Sequence, residues 1–199
     1  MLKGKQKTVF SFKIGLAVLI LASLLVFRVQ QAQAYVYHGC KWWPSTSINY
    51  DKSSLSTSWQ TAVWNGAVQW NNVTPSPFKW NAKDSSINDV FLGSIDGAGN
   101  TLAVTTWSCA LGIMAWMDIK FDTAESWYTG TSTPSASQYD AWSVAAHEFG
   151  HGLGLGHTNV SCSGSESSRP TMCPSYSKGK TYFRSLHSDD KNGLNSIYP

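Results

Sequence analysis

The chain has no pair of cysteines in a C-x-x-C arrangement, no internal repeat, and no basic run beyond its first 34 positions. The first absence argues against a zinc site built from cysteine. The second leaves one domain as the natural reading of 199 residues. The third bears on partners. Lys3, Lys5, Lys7, Lys13 and Arg28 are the basic residues of positions 1–34, and no acid accompanies them. The remaining 165 residues hold ten Lys+Arg against twelve Asp+Glu, a formal charge of −2. The basic balance of the whole chain therefore belongs to its first segment. The rest offers no basic patch for nucleic acid.

A bilayer-length apolar run is also missing. Residues 14–27, "IGLAVLILASLLVF", make 14 apolar or small positions, where a spanning helix needs about 20. With four lysines before it and "AQA" ending at Ala34, this is the pattern of a secretory signal peptide. An uncleaved anchor is the alternative. Cleavage after Ala34 is expected, leaving a secreted, extracellular, monomeric domain over 35–199 with no stable membrane association.

Cysteine is scarce but even in number: Cys40, Cys109, Cys162 and Cys173, all after position 34. In an exported chain that suggests disulfides. Three pairings are open. Cys162 with Cys173 closes a short loop and is favoured, with Cys40 and Cys109 as the second pair. All ten tryptophans also lie after position 34, and most of their rings are expected in the core.

Periodicity gives a coarse layout. "SINY", "NDVFLGSI" and "IMAWMDIKF" read as strands. Trp59, Val63, Ala67 and Trp70 recur at helical spacing, and Pro75 and Pro77 end that unit. "SASQYDAWSVAAHEFGHGLG" reads as a second helix with Ser137 as its cap. "HSDDKNGLNSIY" reads as a third, capped by Ser188 with Asp189 and Asp190 in the first turn. Strands precede the main helix and a helix closes the chain, so the class is α+β.

Histidine is equally scarce, yet three of the five fall in "HEFGHGLGLGH". His147 and His151, four apart, share one helix face and can reach one metal ion. His157 can join them only if the chain turns back, and Gly154 is placed to take the positive φ of that turn. Three neutral imidazoles leave a tetrahedral Zn²⁺ with one open position, the pattern of a catalytic site. Glu148, beside the first ligand, is the candidate general base. His38 and His187 lack ligand spacing; His187 is expected to cap or pack against the last helix.

The long motif H-E-x-x-H-x-x-G-x-x-H is that of the metzincins. With "PTMCPSY" it most resembles the matrixins, in a compact bacterial-type form. "CKWWPSTSINYD", "AVWNGAVQWNNVTPSPF", "DIKFDTAESW" and "HSDDKNGLNSIYP" extend the similarity over nearly all of residues 35–199. The resemblance implies a twisted, mostly parallel five-stranded sheet with three helices and a cleft over the zinc. It implies endopeptidase activity on protein or peptide substrates. It makes Met172 the methionine of the Met-turn, makes Pro174 and Tyr176 the wall of a substrate pocket, and gives residues 177–185 control of pocket depth. It also implies a Ca²⁺ site from Asp96, Gly97, Gly99, Thr101, Asp122 and Glu125.

Departures from the family pattern matter as well. Nothing like P-R-C-G separates residue 34 from the resembling stretch, so latency through a cysteine thiolate is not expected, and no hemopexin-like domain is visible. Val104 and Lys120 stand where vertebrate matrixins bind a second zinc, so one zinc is expected. Thr158 follows the third histidine where the astacins have Glu. A non-catalytic surface-binding module using exposed tryptophans is the rival reading; intact Glu148 favours the enzyme.

Overall fold

The computed structural model describes residues 35–163, 165 and 168–199. The expected signal segment and its cleavage after Ala34 lie outside the described residues. Among the described residues, no helix is long and apolar enough to cross a membrane.

The fold is a mixed α+β arrangement. Strand β1 (Val36–Tyr37) opens it, followed by β2 (Ser47–Tyr50), helix α1 (Thr57–Asn71), β3 (Lys79–Ala82), β4 (Val90–Gly93), β5 (Ala103–Ala110) and β6 (Ile113–Asp122). Short strands β7 (Trp127–Tyr128) and β8 (Tyr139–Asp140) lead into helix α2 (Ala141–Gly152), and β9 (Leu155–Gly156) follows at once. A 3₁₀ turn (Tyr182–Arg184) and helix α3 (Ser188–Ile197) complete the chain.

The expected single five-stranded sheet resolves into two ladders. β2 and β3 pair in parallel, and β4-β6-β5 form the other, with β4 parallel and β5 antiparallel to β6. A lone parallel bridge, Asp51 with Asp89, stitches them, through Asp51 N to Asn88 O at 2.7 Å and Val90 N to Asp51 O at 2.8 Å. The reason lies in Asp51. Its carboxylate accepts from Ser53 N at 2.7 Å and from Ser85 N at 2.6 Å, which bends the chain away before β2 can run beside β4.

Helix α1 buries Ala62, Val63, Ala67 and Trp70, with Trp59 packed at the edge of the core, as the spacing requires. Trp70 donates its indole N–H to Ala146 O at 2.8 Å, which ties α1 to α2 beside the histidines. At the last residue of α1, the Asn71 side chain both donates to Trp80 O and accepts from Trp80 N, acting as a ladder partner for β3. The core centres on Trp70, Trp80, Tyr50, Phe78, Phe121 and Phe149, all fully buried. Each such large side chain contributes about 1.5–3 kcal/mol by leaving water.

The tryptophans differ from expectation. Trp42, Trp70 and Trp80 are buried, but Trp43, Trp64, Trp107 and Trp116 are exposed. Trp107 and Trp116 sit on the β5–β6 hairpin. β5 is an edge strand among the described residues.

Two helix starts also differ. Ser137 does not cap α2; Asp140 does, accepting from Ser143 N at 2.9 Å. The chain stays extended through Tyr139 and Asp140 because they pair with β7. Helix α3 is capped by His187 rather than Ser188: its ring accepts from Asp189 N at 3.2 Å while Asp190 accepts from His187 N at 2.8 Å, a capping box. Both disulfides form as expected, Cys40–Cys109 and Cys162–Cys173, with Cα separations of 6.1 and 5.8 Å.

Candidate active site

The site is built on the last two turns of α2 and the reversal after it. His147 and His151 project from one face, with ring centroids 4.7 Å apart. Gly154 has φ of 101°, a backbone state that only glycine adopts without strain. The chain reverses there and brings His157 back, its ring 5.3 Å from His147 and 5.0 Å from His151. One ligating atom from each of the three lies within 4.8 Å of the others, and this is the one such group of three among the described residues.

The donor set suits a cation. His147 Nδ1 bonds to Thr171 O at 2.7 Å, and His151 Nδ1 to Leu155 O at 2.8 Å. Carbonyls only accept, so both Nδ1 atoms carry the proton and both Nε2 atoms present lone pairs. Those Nε2 atoms face each other at 3.1 Å with no proton between them. Two lone pairs so close call for a shared positive charge. Burial, followed for His151 by the neighbouring His147, holds both imidazoles down to about pKa 4, so they are neutral and ready to ligate. Neutral nitrogen donors of this kind are zinc ligands.

The reversal is held from outside the motif. Each carbonyl from residue 151 to 154 receives a bond from a residue distant in sequence. His38 Nε2 lies 3.0 Å from His151 O, Trp42 Nε1 donates to Gly152 O at 2.9 Å, Tyr198 Oη to Leu153 O at 3.0 Å, and His38 N to Gly154 O at 3.0 Å. His151 and Gly152 close α2, and Leu153 and Gly154 begin the reversal after it. β1 then pairs antiparallel with β9, Val36 with Gly156 and Tyr37 with Leu155. His38 is thus outside the triad but one bond from it. Its spacing gave no sign of that.

Glu148 is buried, and its carboxylate accepts from Thr105 Oγ1 at 2.7 Å. Burial pushes its pKa up, against the opposing influence of the nearby His151 ring and the Thr105 bond. Met172 is buried, its sulfur packed against Gly150 of α2. Its turn is clamped by Asp190, which accepts from Thr171 N at 2.8 Å and Met172 N at 3.2 Å. Neither Thr105 nor the Asp190 clamp was visible in the sequence, because each partner lies far along the chain.

A cleft of about 730 Å³ opens over the histidines. Its walls include β5 residues from Ala103 to Thr105, Glu148, and the expected Pro174 and Tyr176. Phe183 lies in the same wall, stacked on His147 at 6.1 Å and within 5.1 Å of Tyr176. The phenol of Tyr176 donates to Lys180 O, and burial raises its pKa.

The loop at 96–101 is differently arranged. Asp122 accepts from Asp96 N and Gly97 N at 3.2 Å each, Glu125 accepts from Gly99 N, and Asp96 accepts from Thr101 Oγ1 at 2.6 Å. Most of their carboxylate oxygens accept from amides or a hydroxyl, Glu125 Oε2 being buried without a partner, and among the described residues the three acids do not form a close group of ligating atoms. Val104 and Lys120 face each other across the β5–β6 ladder and offer no metal ligand.

A family model described as Matrixin matches residues 46–199. The chain is 29% identical to matrix metalloproteinase-20 of Homo sapiens over 169 residues, covering 78% of this chain and 32% of that protein. It is 30% identical to interstitial collagenase of Bos taurus over 170 residues, with the same two coverages, 78% and 32%. Over 81 residues, 41% of this chain and 14% of that protein, it is 40% identical to stromelysin-3 of Xenopus laevis. The chain thus spans about a third of the length of the first two of these curated relatives. It belongs to the matrixin family of zinc metalloendopeptidases, and His147, His151 and His157 are its zinc-binding triad.

Proposed function

We propose that residues 35–199 form a secreted, monomeric zinc endopeptidase that cleaves protein or peptide substrates, with Glu148 as general base. The observation that carries this reading is the carboxylate of Glu148: buried, intact, and one residue from the first member of a triad whose donor set fits zinc. When bound, zinc supplies Lewis acidity for the scissile carbonyl and lowers the pKa of water. Glu148 takes a proton at its carboxylate from the attacking water and returns it to the departing amine nitrogen. Thr171 O and Leu155 O keep His147 and His151 in the ligating tautomer. Met172, held by Asp190, supports the histidines from below. Pro174, Tyr176 and Phe183 wall the recess that receives the substrate side chain.

The proposal includes a calcium ion at Asp96, Gly97, Gly99, Thr101, Asp122 and Glu125. Its support is Glu125 Oε2, a buried carboxylate oxygen with no hydrogen-bond partner. Binding requires the carboxylates to exchange amide donors for the ion. With zinc held saturating, chelation of calcium then lowers the melting temperature; an unchanged value removes calcium from the reading.

Four exposed tryptophans favour a second reading, a non-catalytic binding module. Glu148→Gln separates the two. In the zinc-loaded 35–199 protein, elemental analysis gives one zinc per chain for both forms. Peptide hydrolysis falls by about 10²–10⁴-fold in the variant. Equal hydrolysis by both forms overturns the mechanism, and no hydrolysis by either supports the binding module.

A further inference from the structure

β5 alternates so that Thr105, buried and paired with Ile119, points toward α2 while Thr106 faces out. The Thr105 hydroxyl touches Glu148 twice, at 2.7 Å to Oε2 and 3.0 Å to the main-chain oxygen. These two residues lie 43 positions apart. A hydroxyl has one proton, and the shorter contact, to the charged acceptor, takes the larger share of it. The carbonyl contact steers the same proton toward the same residue. Threonine is stiff at χ1, so the donor is already oriented before any substrate arrives. A glutamate side chain has three rotatable bonds, and a general base must sit within hydrogen-bond reach of the proton it removes. Something has to choose the rotamer.

We infer that Thr105 is a positioning residue for the proposed reaction: from the edge strand of the sheet it fixes one carboxylate oxygen of Glu148 and so aims the other into the cleft. The inference rests on the peptidase reading of Glu148. It also places the aiming device in the cleft wall itself, since β5 residues line the opening beside Glu148. A purely structural reading makes Thr105 a buried hydroxyl satisfied by a convenient acceptor. The two readings part on what a shape-conserving change does.

Thr105→Val keeps the branched shape, removes the donor, and suits a strand. Thr105→Ser keeps the donor and removes a methyl. In the zinc-loaded protein, Thr105→Val lowers kcat by about tenfold or more with KM and zinc content unchanged, because a hydrogen bond to a charged group of this kind is lost. Thr105→Ser stays within a few-fold of wild type on the same basis. A second readout needs no activity: the carboxylate carbon resonance of Glu148 moves in Thr105→Val and holds in Thr105→Ser. Unchanged kcat in Thr105→Val, equal loss in both variants, or an unmoved resonance overturns the inference. If wild type cleaves no peptide, the peptidase reading fails by itself, and the resonance still decides whether Thr105 holds Glu148.

Discussion

Met172 occupies the space where a side chain on residue 150 would begin: a Cβ at Gly150 would stand 2.3 Å from Met172 Sδ and 2.8 Å from Trp70 Cζ2. The helix bearing the first two ligands can lie this close to Met172 only because that residue has no side chain. Gly150→Ala gains helix propensity, at most about 1 kcal/mol, and loses more to overpacking, about 1–3 kcal/mol. Chemical denaturation should show a net destabilisation. A variant as stable as wild type would mean that Met172 moves aside freely.

Arg184 anchors the loop below the cleft. Its guanidinium binds Asp140 at 2.5 and 2.9 Å and the carbonyls of Gly130, Thr131 and Ser132. Both side chains are largely shielded, 14% and 0% exposed. Arg184→Ala leaves the Asp140 carboxylate buried without its cation, a loss of about 3 kcal/mol. Arg184→Lys recovers little of this, since one ammonium cannot span the same acceptors. Equilibrium unfolding of both variants checks the ordering.

The Cys162–Cys173 bond ties the segment after His157 to the residue beside Met172. Closing a loop of 11 residues contributes about 3 kcal/mol through the unfolded chain. The double variant Cys162→Ser, Cys173→Ser should melt lower and exchange zinc faster. Differential scanning calorimetry and a zinc-release assay measure the two effects, and unchanged values in both would detach this disulfide from the site.

Asp122 gives a pH signature. The Ala124 amide, aided by those of Asp96 and Gly97, holds its pKa below the ordinary aspartate value against the opposing effect of burial. A carboxylate depressed in the folded state contributes stability above its unfolded pKa and loses it as pH falls through the folded one. With chelator present, the gap in melting temperature between wild type and Asp122→Asn should be full at pH 7. It should shrink as pH drops below about 3.9. A gap independent of pH would show that the charge of Asp122 is not what binds the loop.

Local signals were legible and distant ones were not. The histidine motif, the turn at Gly154 and the buried face of α1 could be read from spacing, because each depends on short-range geometry; the short loop favoured Cys162–Cys173, while the pairing of the four cysteines stayed open until the structure placed them. β5 could not. "AVTTWSCA" mixes small, polar and aromatic residues, since an edge strand is exposed along one side and is not forced to alternate strictly. β3 has four residues and borrows a side chain, Asn71, as a partner. The misplaced cap at Ser137 has the same origin: pairing of β8 with β7 overrides a local capping preference. Thr105 and Asp190 act on Glu148 and Met172 through contacts that no sequence window spans.

The covering of carbonyls 151–154 has a consequence for how the domain comes to work at all. His38 and Trp42 stand 113 and 110 positions before the acceptors they meet, and Tyr198 stands 45 positions after its own. The reversal that delivers His157 is therefore a seam closed by segments far before it and after it in the sequence. Contacts so distant in sequence form only after a large loss of chain entropy has been overcome. A chain still emerging, or one that has begun to unravel from either end, holds its motif in full but has not assembled its metal-binding geometry. The metal triad is tied in this way to the integrity of the whole of residues 35–199.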